Sequence, residues 1–290
     1  MKRGFLIYNP SAGRMRKSES VISSVIGEFA AHGIDIAPSP TKPNYAVAGQ
    51  VAELLKQSPD LFVAWGGDGT INEVVNGLSG SSIPIGVISG GTANLFAREL
   101  GLPARLKEAI RVICAGKTRT VSVGKANDRL FVLMAGIGFD SHVIRNVNWK
   151  LKKKTGIFAF AVAAVHTAAN YHFPKFTVRV DGQQQDCIFA VIANGREYGA
   201  LFHLAPNADI SDEFLYVCIF KEPGFHNMVW YAYHAFRRTH HTLKSVEIIK
   251  TRTLEIAGDP AIPVQADGEI IGFLPMRFEV IPGSLNVLVP

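Results

Sequence analysis

The first hundred residues alternate short apolar runs with segments of helical spacing, and each apolar run ends in a turn rich in glycine, proline or hydroxyl residues. GFLIY (4–8) predicts a strand that ends in NPSAG, and SVISSVIGEFAAHG predicts a helix closed by Gly33. GIDIAP predicts a strand leading to Ser39-Pro40-Thr41, and YAVAGQVAELLKQ predicts a second helix. LFVAW then runs into GGDGT and a helix, while IPIGVIS runs into GGT and the helix ANLFAREL, stopped by GLP. Strand, turn and helix in repetition is the pattern of a largely parallel sheet. Turns that follow parallel strands lie along one sheet edge, where ligands bind. NPSAG, Thr41, GGDGT and GGT are therefore expected at a common edge.

Beyond about residue 121 the period changes. VSVGKANDRLFVLMAGIGFD reads as strands, residues 150–171 as a helix, and FTVRVDGQQQDCIFAVIANG as a hairpin turning at Asp181-Gly182. LFHLAPNADISDEFLYVCIF reads as further strands, a helix follows around 225–241, and the remainder is mostly β. The expected fold class is α/β. A mostly parallel α/β nucleotide-binding domain over 1–121 precedes a predominantly β, antiparallel sandwich-like domain over 122–290, whose last residues could pack back on the first.

Composition narrows the class. With 48% hydrophobic and 19% charged residues in 290, the chain can bury a sizeable core. The apolar run after the basic start reaches Asn9 before a signal-peptide core forms, and no run approaches the roughly 20 apolar residues of a membrane-spanning helix. A cytoplasmic protein is expected. Cys114, Cys187 and Cys218 are odd in number, widely spaced and set among apolar residues, which fits reduced thiols. The net charge of +6 admits nucleic acid, an anionic membrane or a phosphorylated ligand. Much of the local excess lies in WKLKKK (149–154), whose plainest reading is a solvated charged face; no RNP-like aromatic motif accompanies it, so nucleic acid is not expected.

Candidate chemistry centres on GGDGT. Its glycines allow close backbone approach, and the N–H groups at the next helix start favour an anion. Thr70 with Glu73 fits a capping box that needs no ligand, and capping likewise suffices for Thr92 taken alone. Asp68 remains unexplained: a carboxylate beside a phosphate requires a metal ion or a reacting hydroxyl between them. Other motifs fail. Arg111 stands where a P-loop before Gly116-Lys117-Thr118 needs glycine, and Ser141 where the Gly136-Ile137-Gly138 run needs one for a dinucleotide fingerprint. His240-His241 reads as a solvated basic helix end. Asp267-Gly268-Glu269 reads first as a hairpin turn, and Asp212 as a solvated loop residue.

In order along the chain, NPSAG (9–13), Thr41, GGDGTINEVVNG (66–77), GGTANLFARELGLP (90–103), AGIGFD (135–140), NGREYG (194–199) and DGE (267–269) resemble the diacylglycerol kinase catalytic-domain family, particularly the bacterial soluble lipid kinases related to sphingosine and ceramide kinases. The resemblance implies a lipid substrate and an ATP site between two domains, formed by Asn9, Pro10, Ser11, Ala12, Gly13, Thr41, Gly66, Gly67, Asp68, Gly69, Thr70, Ile71, Asn72 and Thr92. It implies Glu269 as general base and Asp68 acting through Mg2+ or on the hydroxyl. A second metal site would use the side chain of Asp212 and backbone oxygens near Asp209 and Phe214, although Glu213 replaces a glycine usual there. Two further departures are Ser122, where relatives commonly have Asp, and the missing Lys near Ala163; the joint loss removes a charge network without stranding one partner. Leu95, where Asp is frequent, is a smaller one. The helix within 155–171 could line an acyl-chain channel or pack as ordinary core, WKLKKK could hold the protein peripherally on an anionic membrane, and exposed strand edges could pair two copies as a homodimer. An NAD kinase and a non-catalytic lipid-binding homologue are the alternatives.

Overall fold

In a computed structural model of the chain, residues 1–10, 19–42, 45–148, 158–199 and 202–290 are described. They form two compact units, Met1–Val121 with Gly283–Pro290, and Ser122–Pro282.

In the first unit, β1 (Lys2–Tyr8), β2 (Ile34–Pro40), β3 (Leu61–Gly66) and β4 (Ile85–Ser89) are parallel, in the order β2-β1-β3-β4. The end of β16 (Met276–Leu288) adds beside β4 through Val287. Near-continuous apolar runs form these strands because both faces of a parallel sheet are covered: all of LFVAWG in β3 is buried. Helix α1 (Glu19–Ala31) contributes Ile22, Val25 and Phe29 at positions i, i+3 and i+7 to the core that contains Trp65 and Ile88. Each such side chain contributes about 1.5–3 kcal/mol through burial. Helices α2 (Val47–Leu55) and α3 (Asp68–Gly77) pack on one another, and α4 (Leu95–Glu99) and α5 (Leu106–Ala115) complete the unit.

The second unit is built on antiparallel strands. β7 (Met134–Gly138), β10 (Phe189–Ala193), β11 (Leu215–Phe220), β12 (Val246–Thr251), β14 (Pro263–Ala266) and β15 (Glu269–Phe273) form a sheet in the order β12-β11-β10-β7-β14-β15. Facing it, β13 (Thr253–Ala257) pairs with β8 (Phe176–Val180) and with Met276–Glu279 of β16, and β8 pairs with β9 (Gln183–Cys187). Phe176, Val178 and Phe278 from one sheet meet Ile137, Ile192, Val217 and Val264 from the other in a shared core. Two runs that read as continuous in sequence are divided between sheets, β9 from β10 at Ile188 and β12 from β13 at Arg252. β5 (Thr118–Ala126) turns into β6 (Arg129–Phe131). Helices α6 (Phe139–Asn146), α7 (Phe158–Asn170) and α8 (Phe225–Phe236) flank the sandwich.

Three expectations change. AGIGFD does not remain strand: at Gly138, with φ +82°, β7 gives way to α6, because Ser141 folds back to Gly136 O (2.6 Å). Between Phe202 and Leu215 the chain makes turns and one isolated bridge instead of strands. His240 is not a solvated helix end. It is fully buried with Nε2 2.8 Å from Leu204 O, and burial holds its pKa below the ordinary histidine value. The three cysteines are free thiols; Cys187 and Cys218 are buried, which pushes both thiols up.

Candidate active site

Strand order in the first unit reverses at β1. The chain leaves β1 for β2 on one side and then returns to β3 on the other, which opens a crevice at the carboxyl ends of β1 and β3. Asn9 and Pro10 follow β1, Thr41 follows β2, and Gly67–Thr70 follow β3. The Thr41 N–H donates to Tyr8 O at 2.8 Å, which ties the turn after β2 to the end of β1.

Gly66-Gly67 and Gly90-Gly91 lie against each other. Gly90 N donates to Gly66 O at 2.8 Å, and a Cβ on Gly91 would stand 2.6 Å from Gly67 Cα. Glycine is therefore required first by the approach of two turns, and their polar backbone is brought to one place by that approach. Asn94, at φ +50°, closes the second turn: its Oδ1 accepts from Gly91 N (2.8 Å) and its Nδ2 donates to Gly91 O (3.0 Å).

Asp68 opens α3 after the N-cap Gly67, and its Oδ1 accepts from Phe96 N at 3.2 Å. The carboxylate thus reaches across to the start of α4. Burial raises its pKa above the ordinary aspartate value, and the backbone N–H groups of Phe96, Leu95 and Asn94 offset this in part. A half-buried carboxylate whose ionised form is disfavoured fits a cation beside it.

Neither capping reading of these turns survives. Thr70 lies inside α3 and packs over Gly66, while Glu73 Oε2 accepts from Ala48 N (3.4 Å) at the start of α2. Thr92 precedes a helix that begins only at Leu95 and is capped geometrically by Asn94. The Ile71 side chain is fully buried and its N–H donates to Gly67 O. Asn72 is buried, with Oδ1 accepting from Asn76 Nδ2 at 3.0 Å. Ser11, Ala12 and Gly13 lie outside the described residues, as does WKLKKK.

In the second unit three separate motifs converge. Asp267 at φ +47° and Gly268 at φ +87° make the tight turn between β14 and β15. The Asp267 carboxylate accepts from Val132 N (2.7 Å), Leu133 N (3.0 Å) and Met134 N (3.0 Å). Gln265 Oε1 accepts from Gly268 N (2.8 Å), and Gln265 Nε2 donates to Asp140 Oδ2 (2.6 Å). Tyr198 Oη donates to the other Asp140 oxygen. Asn194, fully buried, donates to Ser122 O (2.9 Å) and Val132 O (2.8 Å). Glu269 emerges from this anchored turn, exposed, with Oε2 3.5 Å from Arg129 Nη2.

Asp140 is buried and burial raises its pKa, against which Tyr198 and Gln265 act as donors. A Cβ on Gly136 would lie 1.8 Å from Asp140 Oδ2, so only glycine leaves room for that carboxylate. Asp140, Asn194, Tyr198, Gln265 and Asp267 are the positioning residues that sequence reasoning passed over. AGIGFD, NGREYG and DGE were visible as separate motifs, but only their folding around β7 makes one network of them.

The second metal site does not fit these side chains. Lys250 Nζ lies 2.8 Å from Asp212 Oδ2, which also accepts from Tyr216 Oη (2.9 Å), and Asp212 Oδ1 accepts from Glu213 N (2.8 Å). The ammonium sits over the Phe214 ring, 4.4 Å from its centroid. Burial alone would raise the Asp212 pKa, but Lys250, Tyr216 and the Glu213 N–H outweigh it and hold it low. The Asp209 carbonyl accepts from Asp212 N (2.8 Å), and Glu213 pairs with Arg252. A metal ion at Asp212 would have to displace a lysine, so the side chains present do not favour this ligand set. Among the described residues there is no cluster of three or more histidine, cysteine or acidic side chains suited to a metal.

A parallel nucleotide-type edge in one unit thus accompanies an antiparallel sandwich in the other. Residues 3–126 match the diacylglycerol kinase catalytic domain, and residues 134–289 match the YegS C-terminal NAD kinase beta sandwich-like domain. The chain belongs to the diacylglycerol kinase family and is an enzyme of the lipid-kinase class. It is 28% identical to the diacylglycerol kinase of Bacillus subtilis (strain 168), over 100% of this chain and 97% of that one. With the diacylglycerol kinase of Staphylococcus carnosus (strain TM300) it shares 27%, over 100% and 95%. A crystal structure of a diacylglycerol kinase from Bacillus anthracis str. Sterne has the same fold, with a TM-score of 0.82 at 24% identity, covering 100% of this chain and 97% of that one.

Proposed function

We propose that the protein transfers the γ-phosphoryl group of ATP to the hydroxyl of diacylglycerol or of a related glycerolipid, sphingoid base or ceramide. The observation that carries this is Asp68, a half-buried carboxylate held at the meeting of two glycine turns, where an ion accompanying a polyphosphate would balance it. Asn9, Thr41, Thr92 and the backbone of Gly67–Thr70 line the edge where the phosphates would rest. Asp68 would hold Mg2+, which supplies charge neutralisation to the transferring group.

Glu269 accepts the proton of the acceptor hydroxyl. The oxygen–hydrogen bond breaks as the oxygen–phosphorus bond forms and the bond to ADP breaks, leaving ADP, a lipid phosphate and protonated Glu269. Arg129 pairs with the Glu269 carboxylate and would orient it, and the Asp267 clamp sets the backbone from which Glu269 projects. Ser122 and Ala163 are both buried and uncharged, so the proposed reaction would proceed without a charge network at these positions. The lipid acceptor would be met at a membrane surface.

The test is transfer of labelled γ-phosphate from magnesium-ATP to a panel of diacylglycerol, monoacylglycerol, sphingoid bases, ceramide and NAD. Label should enter one lipid and be lost in Asp68→Asn and Glu269→Gln. Wild-type rates in both variants refute the assignment of roles. Label only in NAD identifies an NAD kinase, and no transfer to any acceptor favours a lipid-binding homologue.

A further inference from the structure

Two neighbouring helices of the second unit carry apolar side chains on the face turned to solvent. In α8 the face against the sandwich is Met228, Tyr231 and Ala235. The opposite face is also apolar: Phe225, Val229, Trp230, Tyr233 and Phe236 are 41%, 53%, 52%, 52% and 63% exposed. At 100° per residue these five cover an arc of about 140°. Trp230 and Tyr233 stack with ring centroids 5.8 Å apart, so the indole is held outward instead of folding down onto the protein.

Helix α7 repeats the arrangement. Ala159, Ala163, Thr167 and Ala168 face inward, while Phe158, Val162 and Val165 are exposed at 62%, 45% and 63%. The two helices contact each other. Neither contains a single Asp, Glu, Lys or Arg. A surface helix of a globular protein usually carries charge on its outer face, whereas these expose His166, Asn170 and His226 but no acidic side chain, lysine or arginine. The exposed apolar side chains are concentrated on two touching helices, unlike the scattered exposed leucines of ordinary surfaces.

Charge at the border identifies the occupant. Arg237, Arg238 and Lys244 follow α8 and are all exposed. The carboxylates nearest in sequence are Glu222, which stands before α8 at the other end, and Glu247, which pairs with Lys221 at 2.8 Å. Tryptophan, tyrosine and phenylalanine on an uncharged face with arginine at its margin are the composition of segments that lie in the boundary between headgroups and acyl chains. His226 is exposed within the same arc, but no carboxylate, ammonium or guanidinium stands there to pair with a protein partner.

We propose that the outer faces of α7 and α8 form a docking surface for a bilayer with anionic headgroups. Trp230, Tyr233 and Phe236 enter the headgroup boundary, and Arg237 and Arg238 meet the lipid phosphates. The purpose of the surface rests on the lipid-acceptor reading above; its place rests on the two helices alone.

The experiment measures co-sedimentation of the full chain with vesicles of phosphatidylcholine alone and of phosphatidylcholine with phosphatidylglycerol (3:1), without ATP. Wild-type protein should prefer the anionic vesicles, and Trp230→Glu/Phe236→Glu should weaken binding by about tenfold or more. Arg237→Glu/Arg238→Glu should remove the preference for anionic lipid. Val165→Glu, on the other helix, should weaken binding too, so the outcome does not depend on one variant. Phosphoryl transfer to a short-chain diacylglycerol held below its micelle concentration should be unchanged in the two α8 variants.

Unchanged vesicle binding in the α8 and α7 variants, with transfer intact, overturns the docking surface and leaves the kinase reading standing. Lost transfer to every acceptor in the wild type, with vesicle binding that still falls in the variants, removes the kinase reading and supports the surface. A wild-type dimer that Trp230→Glu/Phe236→Glu converts to monomer, with no vesicle binding, assigns the face to a second copy and overturns the proposal.

Discussion

Asp267 offers the sharpest test of how the second unit holds the turn from which Glu269 projects. Its carboxylate accepts from three consecutive backbone N–H groups, those of Val132, Leu133 and Met134, at 2.7–3.0 Å. A hydrogen bond to a charged group contributes about 1.5–3 kcal/mol. The three share two oxygens and are partly buried, so their joint loss is less than the sum, about 3–5 kcal/mol. Asp267→Ala adds about 1 kcal/mol, because alanine is forced to φ +47° where aspartate is tolerated. Asp267→Asn keeps the left-handed backbone and one carbonyl oxygen, which can retain the Leu133 and Met134 bonds. Its amide then turns a donor toward Val132 N, and the expected cost is about 1–3 kcal/mol.

Urea unfolding of the full chain, followed by fluorescence and by circular dichroism, should place the midpoints in the order wild type, Asn, Ala. Phosphoryl transfer should fall in the same order, since Glu269 lies two residues beyond the clamp. An alanine variant within about 0.5 kcal/mol of wild type would show that water replaces the carboxylate at no cost, and the clamp would then have no claim to position anything.

Further expectations follow from the same reasoning. Because burial raises the Asp68 pKa, its ionised form weakens the fold above that pKa, and the penalty vanishes below the ordinary aspartate value near 3.8. Asp68→Asn should therefore be as stable as wild type or more so at neutral pH, with the difference closing as pH falls toward 4, read as melting temperature; a variant less stable at pH 7 than at pH 4 relative to wild type contradicts this. Magnesium-ATP should raise the melting temperature of wild type and not that of Asp68→Asn. Gly91→Ala places a methyl 2.6 Å from Gly67 Cα and should destabilise the first unit by about 1–3 kcal/mol; an unchanged unfolding midpoint would mean that the turns separate freely. Chelation with EDTA should leave melting of the nucleotide-free protein unchanged, because Lys250 already neutralises Asp212; a marked drop would restore the metal ligand set disfavoured above.

Periodicity and punctuation carried the architecture. The near-continuous apolar runs IPIGVIS and LFVAW, each followed by glycine, could only be doubly covered parallel strands, and the hairpins at Asp181-Gly182 and Asp267-Gly268 follow from turn chemistry that needs positive φ. The ordered set of motifs made the family legible as well. What failed did so for a physical reason. A threonine followed three residues later by glutamate satisfies a local rule, yet Glu73 found a better donor on another helix. His240 reads as solvated beside two arginines, and is buried because a distant carbonyl, that of Leu204, accepts its proton.

Local rules depend on neighbours within a few residues, and the sequence alone settled most of what they govern: the parallel strands, helix spacing and tight turns; the ordered motifs along the whole chain pointed to the class of enzyme. Only the tertiary structure could decide which polar groups meet. Asp140, Tyr198 and Gln265 are separated by up to 125 positions yet share one carboxylate, and Lys250 reaches Asp212 across paired strands. The outward face of α8 belongs to the same category. In sequence an aromatic residue counts toward the core, and only packing against one side of the helix leaves the other side's tryptophan and phenylalanine in water.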